Sequence, residues 1–273
     1  MLGAARPLLL VGGGKMGEAL LAGWLRQGLS HKAVIVVEPE AARREFVAKI
    51  HHVRTLPRAD QLSGAIVPET LVLAVKPQMM ADALATCVGR LGPDTLVLSI
   101  AAGKPIAQFE QTLGAQLGVV RAMPNTPAAV GRGVTVLCAN AQATEIQRDL
   151  AERLMEAVGT VHWVEDEELM HAVTAVSGSG PAYVFHLIEA LAAAGVQAGL
   201  PEPLAMDLAR GTVVGAGELA RQSTESAAQL RVNVTSPGGT TAAALQVLTA
   251  ADGVGAVLAR AVAAAAQRSR ELA

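Results

Sequence analysis

The sequence predicts an α/β domain with a doubly wound, mostly parallel sheet, followed by an all-α domain. Three observations carry this reading. Short runs rich in Val, Leu and Ile recur through the first 165 residues with helix-forming stretches between them. The segment Gly12-Gly13-Gly14-Lys15-Met16-Gly17 joins the first of these runs to the first helix. After Glu165 the β-branched runs fade, and long Ala- and Leu-rich segments take over. The domains are therefore expected at residues 1–165 and 166–273.

In chain order, the predicted strands are Leu8 to Val11, Ala33 to Val37, Leu71 to Val75, Thr95 to Ile100, Val119 to Ala122, Val134 to Cys138 and Thr160 to Val164. Helical stretches such as Met16 to Arg26 and Ala143 to Met155 lie between them. The second part reads as helices broken at Gly199-Leu200-Pro201, Ser236-Pro237-Gly238-Gly239 and Asp252-Gly253. Within one of these helices Gly211 and Gly215 stand four apart, with Ala205, Ala209 and Ala216 nearby. Small residues there allow a second helix to approach, from the same chain or from a second copy.

With 273 residues, 51% of them apolar, the chain can bury a sizeable core. A formal charge of -2 with interspersed signs offers no basic stripe, so nucleic acid is not an expected partner. Cys87 and Cys138 each sit in an apolar stretch, as buried thiols do in a reducing compartment, and form no disulfide or metal framework. The start of the chain runs straight into the glycine segment without a small-residue cleavage site. The longest apolar candidate for a membrane span, Pro181 to Val196, is short and is interrupted by His186 and Glu189. A cytoplasmic protein with no membrane contact is expected.

Gly12, Gly14 and Gly17 follow an apolar strand and open a helix, the context in which such a loop binds the pyrophosphate of a dinucleotide. Gly12 permits the tight turn, Gly14 leaves room for the pyrophosphate, and Gly17 lets the helix pack on the strand. The free N–H groups of the helix start, around Lys15 and Met16, then face the phosphates. Glu38, at the end of the second strand, is placed to accept hydrogen bonds from a ribose diol, which favours NADH over NADPH. Arg43 and Arg44 are near enough in sequence to bind a 2′-phosphate instead. Further cofactor contacts are expected where later strands end, at Ala74-Val75-Lys76-Pro77, at Ala101-Ala102-Gly103, and at Asn125 with its amide.

Two segments of the helical part join Gly, Ser, Thr and Pro where helices begin: Ser177-Gly178-Ser179-Gly180-Pro181 and Thr235-Ser236-Pro237-Gly238-Gly239-Thr240-Thr241. Exposed N–H groups and hydroxyls at a helix start suit a small carboxylate, while ordinary capping is the plainer use of the same residues. No lysine follows Lys104, and no arginine lies between Arg153 and Arg210. Alcohol dehydrogenation commonly needs a basic residue at the carbinol. His171 and His186 sit in apolar helical patterns and read as packing or surface residues. Reduction of a protonated imine, already an electrophile for hydride, asks less of the protein.

These residues resemble one family, pyrroline-5-carboxylate reductase. The resemblance rests on Gly12 to Gly17, Ala74 to Gln78, Met123 to Pro127, Ser177 to Tyr183 and, above all, Val234 to Thr241. It implies an N-terminal Rossmann domain, a helical domain that forms a homodimer, and often a decamer of five dimers. It also implies reduction of 1-pyrroline-5-carboxylate to L-proline, the last step of proline biosynthesis. By position, the Ser236 hydroxyl and the backbone at Gly238, Gly239 and Thr240 would hold the substrate carboxylate. Thr241, the catalytic candidate, would set its hydroxyl against the ring nitrogen. Glu225 matches an acidic residue the family places near the substrate, although Ser226-Ala227 replaces the His-Pro that often follows. The family habit is NADPH, from which Glu38 departs. A β-hydroxyacid dehydrogenase shares the loop but needs an interdomain lysine absent here, and a non-catalytic dinucleotide sensor does not need the Ser236 to Thr241 segment.

Overall fold

The structure is a computed structural model that describes residues 2–272. Eight strands among these residues form one sheet: β1 (Leu8–Val11), β2 (Val34–Val37), β3 (Arg54–Leu56), β4 (Thr70–Leu73), β5 (Leu96–Ser99), β6 (Val119–Met123), β7 (Gly133–Ala139) and β8 (Gly159–Trp163). Their spatial order is β3-β2-β1-β4-β5-β6-β7-β8. Every pair is parallel except β6 with β7. The order reverses between β1 and β4, where open α/β sheets bind their ligands. The arrangement is the doubly wound Rossmann type.

The alternating pleat explains why the central strands are apolar throughout. Leu8 and Leu10 pack on one face with Leu20, Leu21 and Trp24, whereas Leu9 and Val11 pack on the other with Leu71, Leu73 and Phe109. Helices α1 (Lys15–Arg26), α2 (Ala41–His51), α3 (Met80–Cys87), α4 (Ile106–Leu113) and α5 (Glu145–Glu156) cover these faces. The Trp24 indole N–H donates to the Leu154 carbonyl at 2.7 Å, joining α1 to α5 across the core. Strand β3 lies outside the sequence prediction because it has three residues, contains one aliphatic side chain and sits at the sheet edge. Strand β2 begins after Ala33, which belongs to a turn capped by Ser30. Strand β4 ends at Leu73, so Ala74 and Val75 lie in the loop that follows.

The later helices are α6 (Leu169–Val173), α7 (Gly180–Gln197), α8 (Glu202–Gln222), α9 (Ala227–Asn233), α10 (Thr240–Leu248) and α11 (Val254–Glu271). Compact packing divides the chain elsewhere than composition does. Residues up to 178 and from 266 onward form a sheet unit, and Ser179–Ala265 form a helical unit. The segment after residue 165 is tied to the sheet by Glu167. Its Oε1 accepts from buried Arg121 at 2.8 Å and from the Ile106 N–H at 2.9 Å. Met170 is buried in the sheet core. His171 shares a 2.9 Å hydrogen bond with buried Ser269, and Leu272 packs against Gly103.

In the helical unit α7 and α8 pack as a pair, with Ala205 and Ala209 buried and Gly195 close against Ala205. Gly211 and Gly215, on the same helix, face open space. Small residues at the start of α8 thus serve packing within the chain. No helix among the described residues is long and apolar enough to cross a membrane.

Candidate active site

The glycine loop separates the roles assigned to its glycines. Gly12 adopts φ +108, and a Cβ there would meet the Ala74 carbonyl oxygen at 2.5 Å. A Cβ at Gly17 would meet the Gly12 oxygen at 2.1 Å. Both positions are glycine because backbone lies against them. Gly14 has no atom within 4 Å of its would-be Cβ, so packing among the described residues does not require glycine there. It is also the N-cap of α1 and makes no side-chain cap, which leaves the first N–H groups of that helix, around exposed Lys15 and half-buried Met16, available to an anion.

Glu38 lies immediately beyond β2, beside this loop. Its Oε2 accepts from the Gly13 N–H at 2.8 Å and its Oε1 from the Glu40 N–H at 3.0 Å. The two bonds fix the carboxylate while leaving lone pairs for a diol. A slot opens alongside, lined by Val11, Val37, Pro39, Arg58, Val75 and Met79. Arg58 is exposed and paired with Asp60. It escapes sequence reading because it follows the short edge strand β3.

The two arginines that the sequence offers to a 2′-phosphate are both engaged. Arg44 donates to the carbonyls of Glu38 and Pro39 at 2.8 and 3.0 Å. Arg43 donates to the Gly13 carbonyl at 2.5 Å and to the Glu18 carboxylate. Burial works against the charge on Glu18, but hydrogen bonds from Arg43 and His51 outweigh it and hold this carboxyl below its usual range.

The remaining cofactor candidates sit at the carboxyl ends of β4, β5 and β6, as the strand order requires. Ala74 touches the glycine loop. Val75 lines the slot. Lys76 is exposed, and Pro77 opens a short turn. Beyond β5, the Ala101 N–H is bonded to the Ser99 hydroxyl at 3.3 Å, and Ala102 follows it into the turn at Gly103. Gly103 adopts φ +71 and carries Leu272 against it, so packing alone accounts for the glycine. Asn125 is buried and its amide is spent within the chain. The oxygen accepts from the Val134 N–H at 2.9 Å, and the nitrogen donates to Ser177. Ser177 belongs to a π-helical turn, Thr174–Gly178, that precedes α7. The helix start at Gly180-Pro181 therefore continues from earlier helix and is not a free beginning.

The other predicted helix start differs. At α10 the cap is Gly239, and no side chain caps it. By contrast Ser226 caps α9 by accepting from the Gln229 N–H at 3.2 Å. The turn before α10 is closed by the Gly239 N–H on the Ser236 carbonyl at 3.1 Å, with Gly238 at φ +68. A Cβ at Gly239 would meet the Ser236 hydroxyl at 2.5 Å, so this glycine keeps that hydroxyl beside the helix start. Among the described residues the Thr240 and Thr241 side chains make no hydrogen bond. Glu225 accepts from Asn233 at 2.9 Å, and Asn233 in turn accepts from Gln229 at 2.8 Å. That chain of bonds anchors Glu225 to the end of α9, just ahead of the turn. His171 is buried and His186 is exposed beside Glu189.

The reversed strand order, the open glycine loop and the acidic residue beside it define an oxidoreductase built around a nicotinamide dinucleotide. Residues 8–103 match the family described as NADP oxidoreductase coenzyme F420-dependent, and residues 167–272 match that described as Pyrroline-5-carboxylate reductase dimerisation. A pyrroline-5-carboxylate reductase from Synechocystis sp. is 44% identical over 264 residues, covering 96% of this chain and 97% of that protein. The chain belongs to the pyrroline-5-carboxylate reductase family. A solved pyrroline-5-carboxylate reductase from Coxiella burnetii superposes with a TM-score of 0.91 at 36% identity, over 98% of this chain and 99% of that one. The pyrroline carboxylate reductase of Plasmodium falciparum, solved with NADP bound, gives a TM-score of 0.83 at 29% identity over 99% of each.

Proposed function

We propose that this chain reduces the C=N bond of 1-pyrroline-5-carboxylate to give L-proline, and that the turn entering α10 seats the substrate. The uncapped start of α10 carries the reading: a helix of this length with glycine at the cap and no side-chain cap retains its own N–H donors. The Ser236 hydroxyl and the N–H groups of Gly238 and Thr240 hold the substrate carboxylate, assisted by the helix dipole. Gly239 spends its N–H on the turn and contributes space for Ser236. The Thr241 hydroxyl, without a partner among the described residues, meets the ring nitrogen and keeps the imine oriented and protonated. Glu225, held by Asn233, supplies a negative charge next to this seat.

On the cofactor side, the N–H groups at the start of α1 bind the pyrophosphate over Gly12, Gly14 and Gly17. The Glu38 carboxylate takes the ribose diol, and the slot edged by Val75 and Met79 takes the adenine. When bound, the reduced nicotinamide would supply the hydride that the imine carbon of the pyrroline ring, C2, accepts. Ala74 to Pro77 and Ala101 to Gly103 bound the cofactor where β4 and β5 end, and Asn125 shapes the loop after β6. A carboxylate at Glu38 disfavours a 2′-phosphate and so favours NADH, against the family habit of NADPH. Residues 166–273 bind substrate and form the homodimer, five of which assemble into a decamer. The enzyme works in the cytoplasm.

The test is to mix purified protein with pyrroline-5-carboxylate and NADH or NADPH, following loss of nicotinamide absorbance and formation of proline. Turnover with a higher kcat/KM for NADH is the expected result. Absence of turnover with both cofactors overturns the proposal.

A further inference from the structure

Arg43 is the side chain that sequence reading offers most readily to a 2′-phosphate, and the structure gives it another task. Its Nε donates to the Gly13 carbonyl at 2.5 Å, its Nη2 pairs with Glu18 on α1, and its guanidinium lies 5.0 Å from the centroid of the Phe46 ring. Three fixed contacts leave the group about a quarter exposed. Glu18 is itself held from the other side, since its Oε1 meets His51 Nε2 at 3.3 Å. The His51 carbonyl in turn accepts from His31 Nδ1 at 2.6 Å. The Gly13 N–H is meanwhile taken by Glu38 at 2.8 Å. The N–H and the C=O of Gly13 are therefore each gripped by a side chain from the segment that follows β2.

We propose that Arg43 is a positioning residue for the dinucleotide, acting through the Gly13 carbonyl, and that it makes no contact with a 2′-phosphate. The inference rests on the cofactor reading above. Its physical basis is that Gly13 precedes the residue that opens toward the pyrophosphate. The Gly14 carbonyl is taken by the Glu18 N–H at 2.8 Å, and no atom lies within 4 Å of a would-be Gly14 Cβ, so its N–H is directed by the peptide plane it shares with Gly13. A guanidinium bonded to the Gly13 oxygen fixes the peptide plane between Gly13 and Gly14, and with it the direction of the Gly14 N–H. The Nε and Nη2 groups are committed to Gly13 and Glu18, so turning either toward a 2′-phosphate costs one of these bonds.

The two roles give different signatures. If Arg43 orients the loop, Arg43→Met raises KM for NADH and for NADPH by the same factor, about tenfold, as expected for losing one charge-assisted hydrogen bond. The value of kcat at saturating cofactor then stays within about twofold, and Arg43→Lys recovers part of the loss. A Glu18→Gln variant, which retains Arg43 but weakens its second anchor, raises both KM values equally by a few fold. Calorimetric titration with each nucleotide alone gives the same ratios without substrate. This separates the inference from the proposed reaction: failure of turnover with intact nucleotide binding sinks the reaction and still tests Arg43. A loss confined to NADPH, or no change with either nucleotide, overturns the inference. So does a parent protein that binds neither nucleotide.

Discussion

In the sheet unit, β1, β2, β4 and β5 are buried over their whole length, whereas in the helical unit α7 and α8 leave Phe185, Leu187, Leu191, Leu204 and Leu208 in the open. The first unit closes its two core clusters with its own helices. The second seals a narrow seam around Gly195, Ala205 and Ala209 and presents its larger apolar side chains outward. Among polar groups the contrast is between bonded side chains and uncapped helix starts. Asn125, Glu38, Arg43 and Arg121 in the sheet unit are bonded within the chain, while the starts of α1 and α10 carry no side-chain cap and the Thr241 hydroxyl has no partner among the described residues. An apolar core closed by its own helices serves as a scaffold, whereas an outward apolar face suits a second surface.

The sharpest way to break this comparison is to charge the outward face. Phe185→Asp should weaken self-association by about a thousandfold, the scale of a central interface residue, while the protein stays folded. Sedimentation equilibrium and circular dichroism report the two quantities, and an unchanged dimer would make α7 an ordinary solvated helix. Next in size, Thr241→Ala should lower kcat by about a hundredfold, as removal of a transition-state hydrogen bond does, with nucleotide affinity within about twofold. Because none of the described residues uses that hydroxyl, the variant's melting temperature should match the parent's. Unchanged turnover removes Thr241 from the mechanism.

A smaller effect is expected in the scaffold. Glu167→Ala leaves the buried Arg121 guanidinium unpaired and should cost about 2 kcal/mol, less than a fully buried pair because Glu167 is partly exposed. Denaturant titration measures it, and a loss below about 0.5 kcal/mol would show that Glu167 does not pin the segment after residue 165. The smallest expected effect is none. Burial pushes the Cys87 thiol up to about 11, so it stays protonated at neutral pH and native protein should resist iodoacetamide at pH 7.5 until denatured. Rapid alkylation of the folded protein would mean that the sheet unit opens.

Much of the scaffold was legible because its signals are local. Apolar runs mark β1, β2, β4 and β5, and three glycines in one short span mark the loop. Strand β3 escaped because Arg54-Thr55-Leu56 forms only by pairing with β2. The π-helical turn at Thr174–Gly178 escaped because its residues read as a capping segment. The candidate site was legible in its residue types but not in its commitments. Arg43, Arg44 and Asn125 look available in a sequence, and only the hydrogen bonds show them occupied. Arg58 was silent for the same reason as β3. The uncapped start of α10 is likewise a matter of geometry, since the serine and threonines around it suit a cap equally well.

Helix α11 begins in the helical unit and ends in the sheet unit, where Ser269 and Leu272 are held by His171 and Gly103. The helical unit is thus an insertion rather than an appendage, covalently moored at both of its ends. After a single proteolytic cut near residue 178, the two fragments would be joined only by the noncovalent packing of residues 266–272 within the sheet unit.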